Sequence, residues 1–325
     1  MVEKNETLVV FSPCRAQSVA LRGKGTASVP WNQSKPEKRA FGAQSMVAPL
    51  RCVLLVRPVP PADPDCWRAF GYLRPIDHER AVAEHAALVA LLEQAGVEAI
   101  VVTPDDPNLQ DAIFPFDPVI VTEAGAILLR MGKVLRQPEV AFLERVLRDL
   151  DIPIVGRIEP PGTVEGGDCL WLDERTLVVG RSYRTNDAGI TQLAELVRPL
   201  GVEVISVDLP HWHGPGECLH LLSLLSPVDV DLVVAYPPLV PVRLMELLAT
   251  RRMQLIAVPD EEFPTQGPNV LAIAPRRCVI LRENVRTIAA LEAAGCTVFA
   301  YEGQDISHNR SGGPTCLSRP LLRDW

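Results

Sequence analysis

The chain has 325 residues, of which 47% are apolar and 22% charged, and its formal net charge at pH 7 is −8. An acidic chain is a poor match for nucleic acid, and no apolar run reaches the roughly 18–20 residues that a membrane span needs. These quantities predict a globular protein that attracts cations and has neither a nucleic-acid nor a membrane partner.

Residues 1–45 differ in composition from the rest of the chain. They are rich in Ser, Asn and Gln, carry more basic than acidic residues and show no apolar period. This composition predicts a disordered N-terminal extension. Met46 then precedes "VAPLRCVLLVRP", which reads as a buried first strand, so residues 46–325 are expected to form a single domain.

One unit recurs along this domain: an amphipathic helix, a short turn and a β-rich strand, as in "LLEQAGVEAIVV" and "LVRPLGVEVISV". The strands open at Val97, Ile152, Val202, Met253 and Cys296, at intervals of 43 to 55 residues. Similarity at such a period is typical of repeat architectures, although short repeats also arise by chance in α/β proteins.

Pairs of apolar runs joined by turn residues lie between the copies: "PVIVTEAGAILLRM", "CLWLDERTLVVG", "SPVDVDLVVAYP" and "VLAIAPRRCVILREN". Each pair predicts a β-hairpin. A unit of hairpin, helix and strand, present about five times, predicts a mixed α/β fold rather than a doubly wound sheet. Five units favour a closed ring, in which the C-terminal "TCLSRPLL" completes the unit that "RCVLLVRP" begins.

The eight cysteines are scattered and form no CxxC pair, which argues against a zinc ribbon or a disulfide framework. Reduced thiols in the cytoplasm are therefore predicted. Cys316 follows the flexible pair Gly312–Gly313 and is either an inert thiol or a nucleophile. His211 and His213 in "HWH" could bind a metal, but no third ligand at a sensible spacing accompanies them, so no metal site is predicted.

Several polar residues stand at strand ends and turns. In "GTVEGGDCLWL", two glycines allow a tight turn that could direct Glu165 into a central cavity; the alternative is a hairpin turn with surface carboxylates. His220 lies in the apolar stretch "ECLHLLSLL" and is either a core residue or functional. Asp111 and Asp117 would share one face if their segment is extended.

Together with Arg136 and Arg184, these residues form one chemical set. Cysteine with histidine supplies a nucleophile and a general acid–base, clustered carboxylates bind a cation, and arginines bind a carboxylate. A substrate with a cationic end, an electrophilic carbon and a carboxylate meets all three demands. Arginine and its derivatives are such substrates.

Four motifs then resemble, in order, those of the guanidino-group-modifying superfamily: EGGD at 165–168, RTN at 184–186, HLxS at 220–223 and TCLS at 315–318. The resemblance covers about residues 50–324 and is strongest to the dimethylarginine dimethylaminohydrolase branch. It implies a five-bladed α/β propeller, the pentein fold, built from hairpin–helix–strand repeats. It also implies a cytoplasmic hydrolase without a cofactor that acts on a small guanidino substrate, and it is compatible with a homodimer.

The resemblance implies the roles of three catalytic residues. Cys316 would be the nucleophile, and His220 the general acid and then the general base. Glu165 would hold the guanidinium and orient His220. The reaction would convert dimethylarginine into citrulline and dimethylamine through a covalent S-alkylthiouronium intermediate.

The resemblance also implies five residues that bind substrate or support the site. Asp111 and Asp117 would bind the guanidino end or the α-amino group. Arg136 and Arg184 would hold the α-carboxylate, and Asp168 would support the turn that carries Glu165.

Two positions bear on the choice within the superfamily. Deiminases and amidinotransferases carry an aspartate two residues after the catalytic histidine; here that residue is Leu222, which leaves room for N-alkyl groups. The hydrolases usually carry an acidic residue just before the one that matches Asp117; here it is Phe116. The second departure keeps open a deiminase or amidinotransferase-like enzyme that acts on another guanidine.

Two further alternatives remain at this point. A non-catalytic pentein that acts as a binding module is one, because fold does not fix function. A dinucleotide enzyme ranks last, since no GxGxxG follows a strand. The segment 68–75, "RAFGYLRP", is the predicted lid, with Gly71 as its hinge.

Overall fold

The computed structural model describes residues 40–325, and hairpin, helix and strand alternate along them as predicted. The strands of these residues are β1 Leu50–Val56, β2 Glu98–Val102, β3 Val119–Thr122, β4 Gly125–Leu128, β5 Ile154–Arg157, β6 Cys169–Asp173, β7 Thr176–Arg181, β8 Glu203–Asp208, β9 Leu225–Asp229, β10 Leu232–Ala235, β11 Gln254–Ala257, β12 Leu271–Ala274, β13 Arg277–Leu281, β14 Thr297–Tyr301 and β15 Arg319–Arg323. The α-helices are α1 Cys66–Phe70, α2 His78–Gln94, α3 Gln137–Asp149, α4 Asp187–Val197, α5 Val242–Thr250 and α6 Val285–Ala293.

The strands form five three-stranded sheets, in the orders β15-β1-β2, β3-β4-β5, β6-β7-β8, β9-β10-β11 and β12-β13-β14. In each sheet the middle strand pairs antiparallel with one neighbour and parallel with the other. A parallel pair needs a crossover, and a helix from α2 to α6 supplies it. Each sheet is therefore the predicted unit of hairpin, helix and strand, and the five sheets are the blades of the predicted propeller.

The first blade contains both ends of the domain. The last strand, β15, pairs antiparallel with β1, with Val53 opposite Pro320 and Leu54 opposite Arg319. The prediction that the C-terminal segment completes the first unit is thus confirmed. This pairing anchors the segment that follows Cys316.

Apolar clusters fill the interfaces between neighbouring blades. One cluster joins the first and second blades, one the second, third and fourth, one the fourth and fifth, and one the fifth and first. The clusters form a complete circuit, so each sheet buries its faces against its neighbours and the ring closes. Representative members are Leu54 with Val119, Ile127 with Leu170, Val234 with Ile280, and Val53 with Val279.

Two of the five crossover helices, α2 and α4, begin at residues whose side chains cap the helix. The Asp77 side chain accepts from the backbone N–H of Arg80 at the start of α2, and Asn186 accepts from that of Gly189 at the start of α4. Each helix buries a stripe of apolar residues, such as Leu88 and Leu92 of α2. Burial of a leucine side chain stabilises the fold by about 1.5–3 kcal/mol. Across residues 40–325, no helix combines the length and apolarity required to cross a bilayer.

Most of the predicted extension, residues 1–39, lies outside the described residues. Residues 40–45, which were also assigned to it, pack against the domain. Gly42 donates to the backbone carbonyl of Leu321, and the fully buried Gln44 side chain bonds to the backbones of Glu123 and Glu174. Backbone pairing with the C-terminal strand orders this stretch, so the expected boundary at Met46 falls too late.

Candidate active site

A cavity of about 530 Å³ brings together residues from distant parts of the chain. Its walls come from turns and loops of several blades rather than from the strands themselves. Eleven charged, thiol or imidazole side chains line it, of which six were predicted as site residues from the sequence and five were not. They are Arg68, Asp111, Asp117, Lys133, Arg136, Arg184, Glu217, Cys218, His220, Arg310 and Cys316.

Cys316 lies in the turn that leads into β15, at the wall of the cavity. Two glycines before it let this turn pack closely: a Cβ at Gly312 would meet the Phe114 ring at 2.4 Å, and one at Gly313 would meet Asn269 at 2.5 Å. Asn269 in turn donates from Nδ2 to the sulfur of Cys316, at 3.3 Å. Tight packing and this hydrogen bond hold the thiol in place.

Burial raises the pKa of the Cys316 thiol to about 12, and the carboxylate of Asp117 adds to the rise against the opposing charge of His220. The thiol is therefore neutral near pH 7. A positive charge placed beside the sulfur would favour the thiolate, which is the reactive form. A cationic ligand in this cavity supplies such a charge.

His220 lines the same cavity and is held from behind. Its Nε2 donates to Oε2 of Glu165 at 2.8 Å, and its Nδ1 lies 3.9 Å from Oδ1 of Asp117. A Cβ at Gly167 would meet Nδ1 of His220 at 2.3 Å, so only glycine fits against the ring. The glycine pair in EGGD thus serves the close approach of the imidazole as well as the turn.

Burial alone would lower the pKa of His220, but Cys218, Asp117 and Asp168 outweigh burial and raise that pKa well above 6.5. The sulfur of Cys218 lies 3.6 Å from Nδ1 and 3.7 Å from Nε2. The sulfur is thus nearly equidistant from the two ring nitrogens. His220 is therefore a protonated imidazolium near pH 7, able to donate a proton.

Glu165, Cys218 and His220 place three potential metal-ligand atoms within 4.8 Å of one another, the one such group found among residues 40–325. The geometry does not favour a metal centre. The Nε2 of His220 donates its proton to Glu165 and so offers no lone pair to a metal. His211 and His213 lie in an exposed loop, where Nδ1 of His211 bonds to Tyr183.

Glu165 is fully buried and lies behind the cavity wall, so it does not line the cavity as expected from its turn. It accepts from the backbone N–H of Lys133 at 3.1 Å and from Nη1 of Arg184 at 3.4 Å, besides His220. Burial would raise the pKa of Glu165, but the hydrogen bond and charge of His220, followed by Arg184 and Arg136, hold it well below its usual range. Glu165 is thus an anion placed to orient His220.

Asp168 ties the EGGD turn to the segment that carries the histidine. Its Oδ1 accepts from the backbone N–H of Leu221 at 3.0 Å, and its Oδ2 accepts from the Ser182 hydroxyl at 2.6 Å. Burial raises the pKa of Asp168 to about 6 despite these bonds and the nearby His220. Its position matches the supporting role that the sequence implied.

Asp111 and Asp117 both line the cavity, but they do not do so by sharing one face of an extended segment. Asp111 lies in the 3₁₀ turn Gln110–Ile113, so the segment is not extended and the two residues do not share a strand face. Arg136 brings them together: its Nη1 donates to Asp117 at 2.6 Å, and its Nε lies 3.9 Å from Asp111. Lys133 also pairs with Asp111, at 2.9 Å.

Arg136 is less available than the sequence implied. Each of its three nitrogens donates to a protein acceptor, and the paired carboxylates are Asp117 and Glu139. Burial would lower the pKa of Arg136, but Glu139, Asp117 and Asp111 raise it well above its usual value. Its charge is therefore compensated by the protein. Arg184, which pairs only with Glu165 in residues 40–325, retains more freedom.

The two positions that bear on the choice of substrate are buried. Leu222 is 1% exposed, and its carbonyl lies 3.5 Å from Nδ2 of Asn269. Phe116 is 4% exposed and packs beneath the guanidinium of Arg319, 3.8 Å from the ring centre. Neither side chain lines the cavity. The missing acidic residue at 116 is thus replaced by a packing contact.

Two segments border the cavity on its accessible side. The predicted lid contributes Arg68 to Gly71, and Gly71 has the positive φ of 75° that suits a hinge residue. The second segment, residues 215–218, was not predicted to border the site. Whether either moves as a lid stays a prediction.

Sequence reasoning missed Lys133, Cys218, Asn269 and Arg310. Cys218 stands two residues before His220 and Arg310 two residues before Gly312, so proximity to a recognised motif was the available signal for these two. Lys133 and Asn269 lie far in sequence from all four motifs. Proximity to a motif does not reveal which side chains turn toward the cavity.

Comparison with known proteins agrees with this geometry. A family model described as "Arginine deiminase" matches residues 100–254 and 240–323. The N(G),N(G)-dimethylarginine dimethylaminohydrolase of Streptomyces coelicolor is 34% identical over 243 residues, which cover 75% of this chain and 86% of that protein. An arginine deiminase of Listeria welshimeri is 27% identical over 67% of this chain, which spans 62% of the deiminase's length.

A solved structure of dimethylarginine dimethylaminohydrolase from Pseudomonas aeruginosa, complexed with citrulline, superimposes with a TM-score of 0.70. The match covers 84% of this chain and 100% of that chain at 22% identity. At this identity the likeness concerns the fold, and it supports the five-bladed propeller described above.

Proposed function

Because this chain belongs to the arginine deiminase family, we propose that it hydrolyses Nω-methylated arginine, converting dimethylarginine into citrulline and dimethylamine. Family membership makes it a hydrolase that acts on the C–N bonds of linear amidines. The relative from Streptomyces coelicolor supports the dimethylated substrate. One observation carries the proposal: the cavity that contains the thiol of Cys316 also contains an imidazole, His220, fixed by a buried carboxylate.

We assign three roles on this basis. Cys316 is the nucleophile, His220 is first the general acid and then the general base, and Glu165 orients His220 and stabilises its charge. Glu165 holds the substrate only through His220, since the carboxylate lies behind the cavity wall. Asp168 supports the turn.

The first half of the reaction forms the covalent intermediate. The substrate's guanidinium lowers the pKa of the Cys316 thiol, which releases its proton to solvent and, as thiolate, attacks the guanidinium carbon. His220, already protonated, donates its proton to the dimethylated nitrogen of the tetrahedral adduct. Dimethylamine leaves, and an S-alkylthiouronium remains on the sulfur.

The second half hydrolyses this intermediate. His220, now neutral, accepts a proton from water, and the hydroxide attacks the thiouronium carbon. The sulfur leaves as thiolate, and citrulline is released. Positioned acid–base catalysis of this kind contributes roughly 10²–10⁴-fold, and the remainder comes from positioning and electrostatics in the buried site.

Asp117 and Asp111 are the carboxylates that attract the cationic end of the substrate. Asp117 also accepts from the backbone N–H of Gly167 at 2.8 Å, which ties it to the turn beside His220. Arg184 is proposed to contact the α-carboxylate. Arg136, expected to share that task, is assigned instead to holding the two aspartates in place.

The dimethyl group is accommodated because the second carboxylate of the deiminases is absent. Leu222 occupies its position in the sequence and supplies no acceptor for a second guanidino N–H. A carboxylate at this position would lose its hydration against two methyl groups without gaining a hydrogen bond, which is unfavourable. An apolar residue has no such desolvation cost.

An arginine deiminase-like reaction is the second candidate. Phe116 in place of an acidic residue and the match to the deiminase from Listeria welshimeri favour it. It uses the same nucleophile and acid but releases ammonia from an unmethylated guanidine. A purely binding pentein is disfavoured, since it has no need of the connected Cys316, His220 and Glu165.

Incubation with asymmetric dimethylarginine, followed by quantification of citrulline and dimethylamine, tests the proposal. Parallel incubations with arginine and other guanidines, with ammonia detection, separate the second candidate. Cys316→Ser should lower turnover at least about 10³-fold. Absence of product from every guanidine would refute the enzymatic proposal. A cytoplasmic location and a homodimer remain part of this proposal.

A further inference from the structure

We propose that Arg310 forms an anion subsite of the cavity and binds the carboxylate of the guanidino substrate. The inference rests on the proposed function, because it names which part of that substrate the residue contacts. It adds a contact from outside the four recognised motifs to the contact with the same carboxylate that is proposed above for Arg184.

Arg310 is a buried cation whose partners are all uncharged. It is 6% exposed and lines the cavity. Its Nε donates to the carbonyl of Asp305 at 3.1 Å, and its Nη1 donates to the carbonyl of Gln110 at 2.6 Å and to the Tyr72 hydroxyl at 3.3 Å. Its Nη2 is buried and has no hydrogen-bond partner in residues 40–325.

The other cations of the cavity differ in this respect. Lys133 pairs with Asp111 at 2.9 Å, and Arg136 pairs with Asp117 at 2.6 Å. Arg184 contacts Glu165 at 3.4 Å, and Arg68 is exposed to solvent and lies 3.7 Å from Asp65. Within the described part of the chain, Arg310 alone of these five combines burial with the lack of a carboxylate partner.

A buried charge without a counter-ion is unfavourable, because the protein interior solvates it less well than water does. The Tyr72 hydroxyl that accepts from Arg310 donates to Asp111 at 2.5 Å, so Asp111 reaches this guanidinium only through a neutral hydroxyl. A ligand with one negative charge can pair with the guanidinium directly. A carboxylate suits it, since guanidinium offers parallel N–H groups in the geometry of two carboxylate oxygens. A guanidino acid brings such a group together with the cation that Cys316 requires.

The chain connects this subsite directly to the nucleophile. Arg310 ends a short turn, Ser311 follows in the left-handed region at φ 57°, and Gly312 and Gly313 lead to Cys316. The close contacts of both glycines fix this loop. A carboxylate bound at Arg310 therefore contacts the same fixed loop that presents the sulfur.

The test compares two substrates on three proteins. The substrates are asymmetric dimethylarginine and its decarboxylated counterpart, dimethylagmatine. The proteins are the wild type, Arg310→Met and Arg310→Lys. In Arg310→Met we expect KM for the acid to rise about 30-fold or more, with kcat/KM for the decarboxylated compound changed by less than about threefold. Arg310→Lys should restore part of the affinity for the acid.

Arg323→Met is the matched control. Arg323 is also a buried arginine whose acceptors are backbone carbonyls, but it does not line the cavity. Its substitution should affect both substrates equally. If Arg310→Met weakens both substrates equally as well, the residue is structural and the inference is wrong.

The wild type alone supplies a second measurement, in case the Met variant does not fold. Its kcat/KM should favour the acid over the decarboxylated compound at least about 30-fold, and equal values would overturn the inference. Turnover of neither substrate would instead overturn the proposed function. If the wild type turns over the acid and Arg310→Met has the same KM for it, the subsite is excluded, whereas the proposed function stands.

Discussion

Gly167 lies directly against the imidazole of His220, so close that a Cβ at this position would meet Nδ1 at 2.3 Å. The same glycine donates its N–H to Asp117. One backbone position therefore sets the distance between the turn of the third blade, the histidine and a cavity carboxylate. The hydrogen bond between His220 and Glu165 depends on this spacing.

Gly167→Ala should displace the imidazole and lower kcat about 100-fold, because a displacement of about 1 Å at a reacting group can cost that much. Steady-state kinetics on the proposed substrate measure the effect. Gly216→Ala is the control, since a Cβ there meets nothing within 4 Å and should change kcat less than about twofold. Comparable kcat values for the two variants would contradict the role of this contact.

The architecture could be predicted from the sequence because it depends on local patterns. Alternation and turn residues mark each hairpin, and a buried residue such as Val97 or Val202 stands just before each parallel strand. Closure through β15 was predictable since "TCLSRPLL" lacked a partner elsewhere. The start of the packed chain was misplaced because Gly42 and Gln44 are ordered by contacts with remote residues, which composition does not reveal.

The sequence predicted which residues form the site better than it predicted how they contact one another. Residue type and order identified Cys316, His220 and Asp117, which line one cavity. The sequence did not show that Glu165 lies behind His220 or that Arg136 is compensated by carboxylates. Hydrogen-bond partners depend on distances between blades, and those distances follow from packing that no local pattern encodes.

Cys218→Ala should lower the pKa of His220. Burial opposes the charged imidazole, and Cys218 is the foremost of the neighbours that outweigh burial and raise this pKa. Since His220 must be protonated to act as the acid, kcat should fall as pH rises through its pKa, at a pH well above 6.5. The variant should move this fall to lower pH, whereas Cys52→Ala, on β1, should not. An unchanged pH profile would exclude Cys218 from this role.

The thiol of Cys316 should react selectively with cationic reagents. Burial raises its pKa to about 12, so a neutral alkylating agent meets almost no thiolate at pH 7.5, whereas a cation beside the sulfur favours the thiolate. Chloroacetamidine should therefore label Cys316 at least about 10-fold faster than the neutral chloroacetamide. Mass spectrometry of the labelled peptide identifies the site, with the partly exposed Cys66, which does not line the cavity, as the internal comparison. Equal rates at Cys316 would show that charge does not activate this thiol.

Glu139 and Glu144 lie on the same helix, α3, and allow a matched test of the charge network under the cavity. Glu139 is 1% exposed and pairs with the buried Arg136, whereas Glu144 pairs with the exposed Arg148 and Arg157. Burial raises the pKa of Glu139 to about 8, so the comparison is made at pH 9, where its carboxylate is charged. There Glu139→Gln should lower the free energy of unfolding by about 3 kcal/mol, because it leaves a buried guanidinium short of one counter-ion. Glu144→Gln should change it by less than about 1 kcal/mol. Urea denaturation measures both, and a small loss for Glu139→Gln would mean that Asp117 alone compensates Arg136.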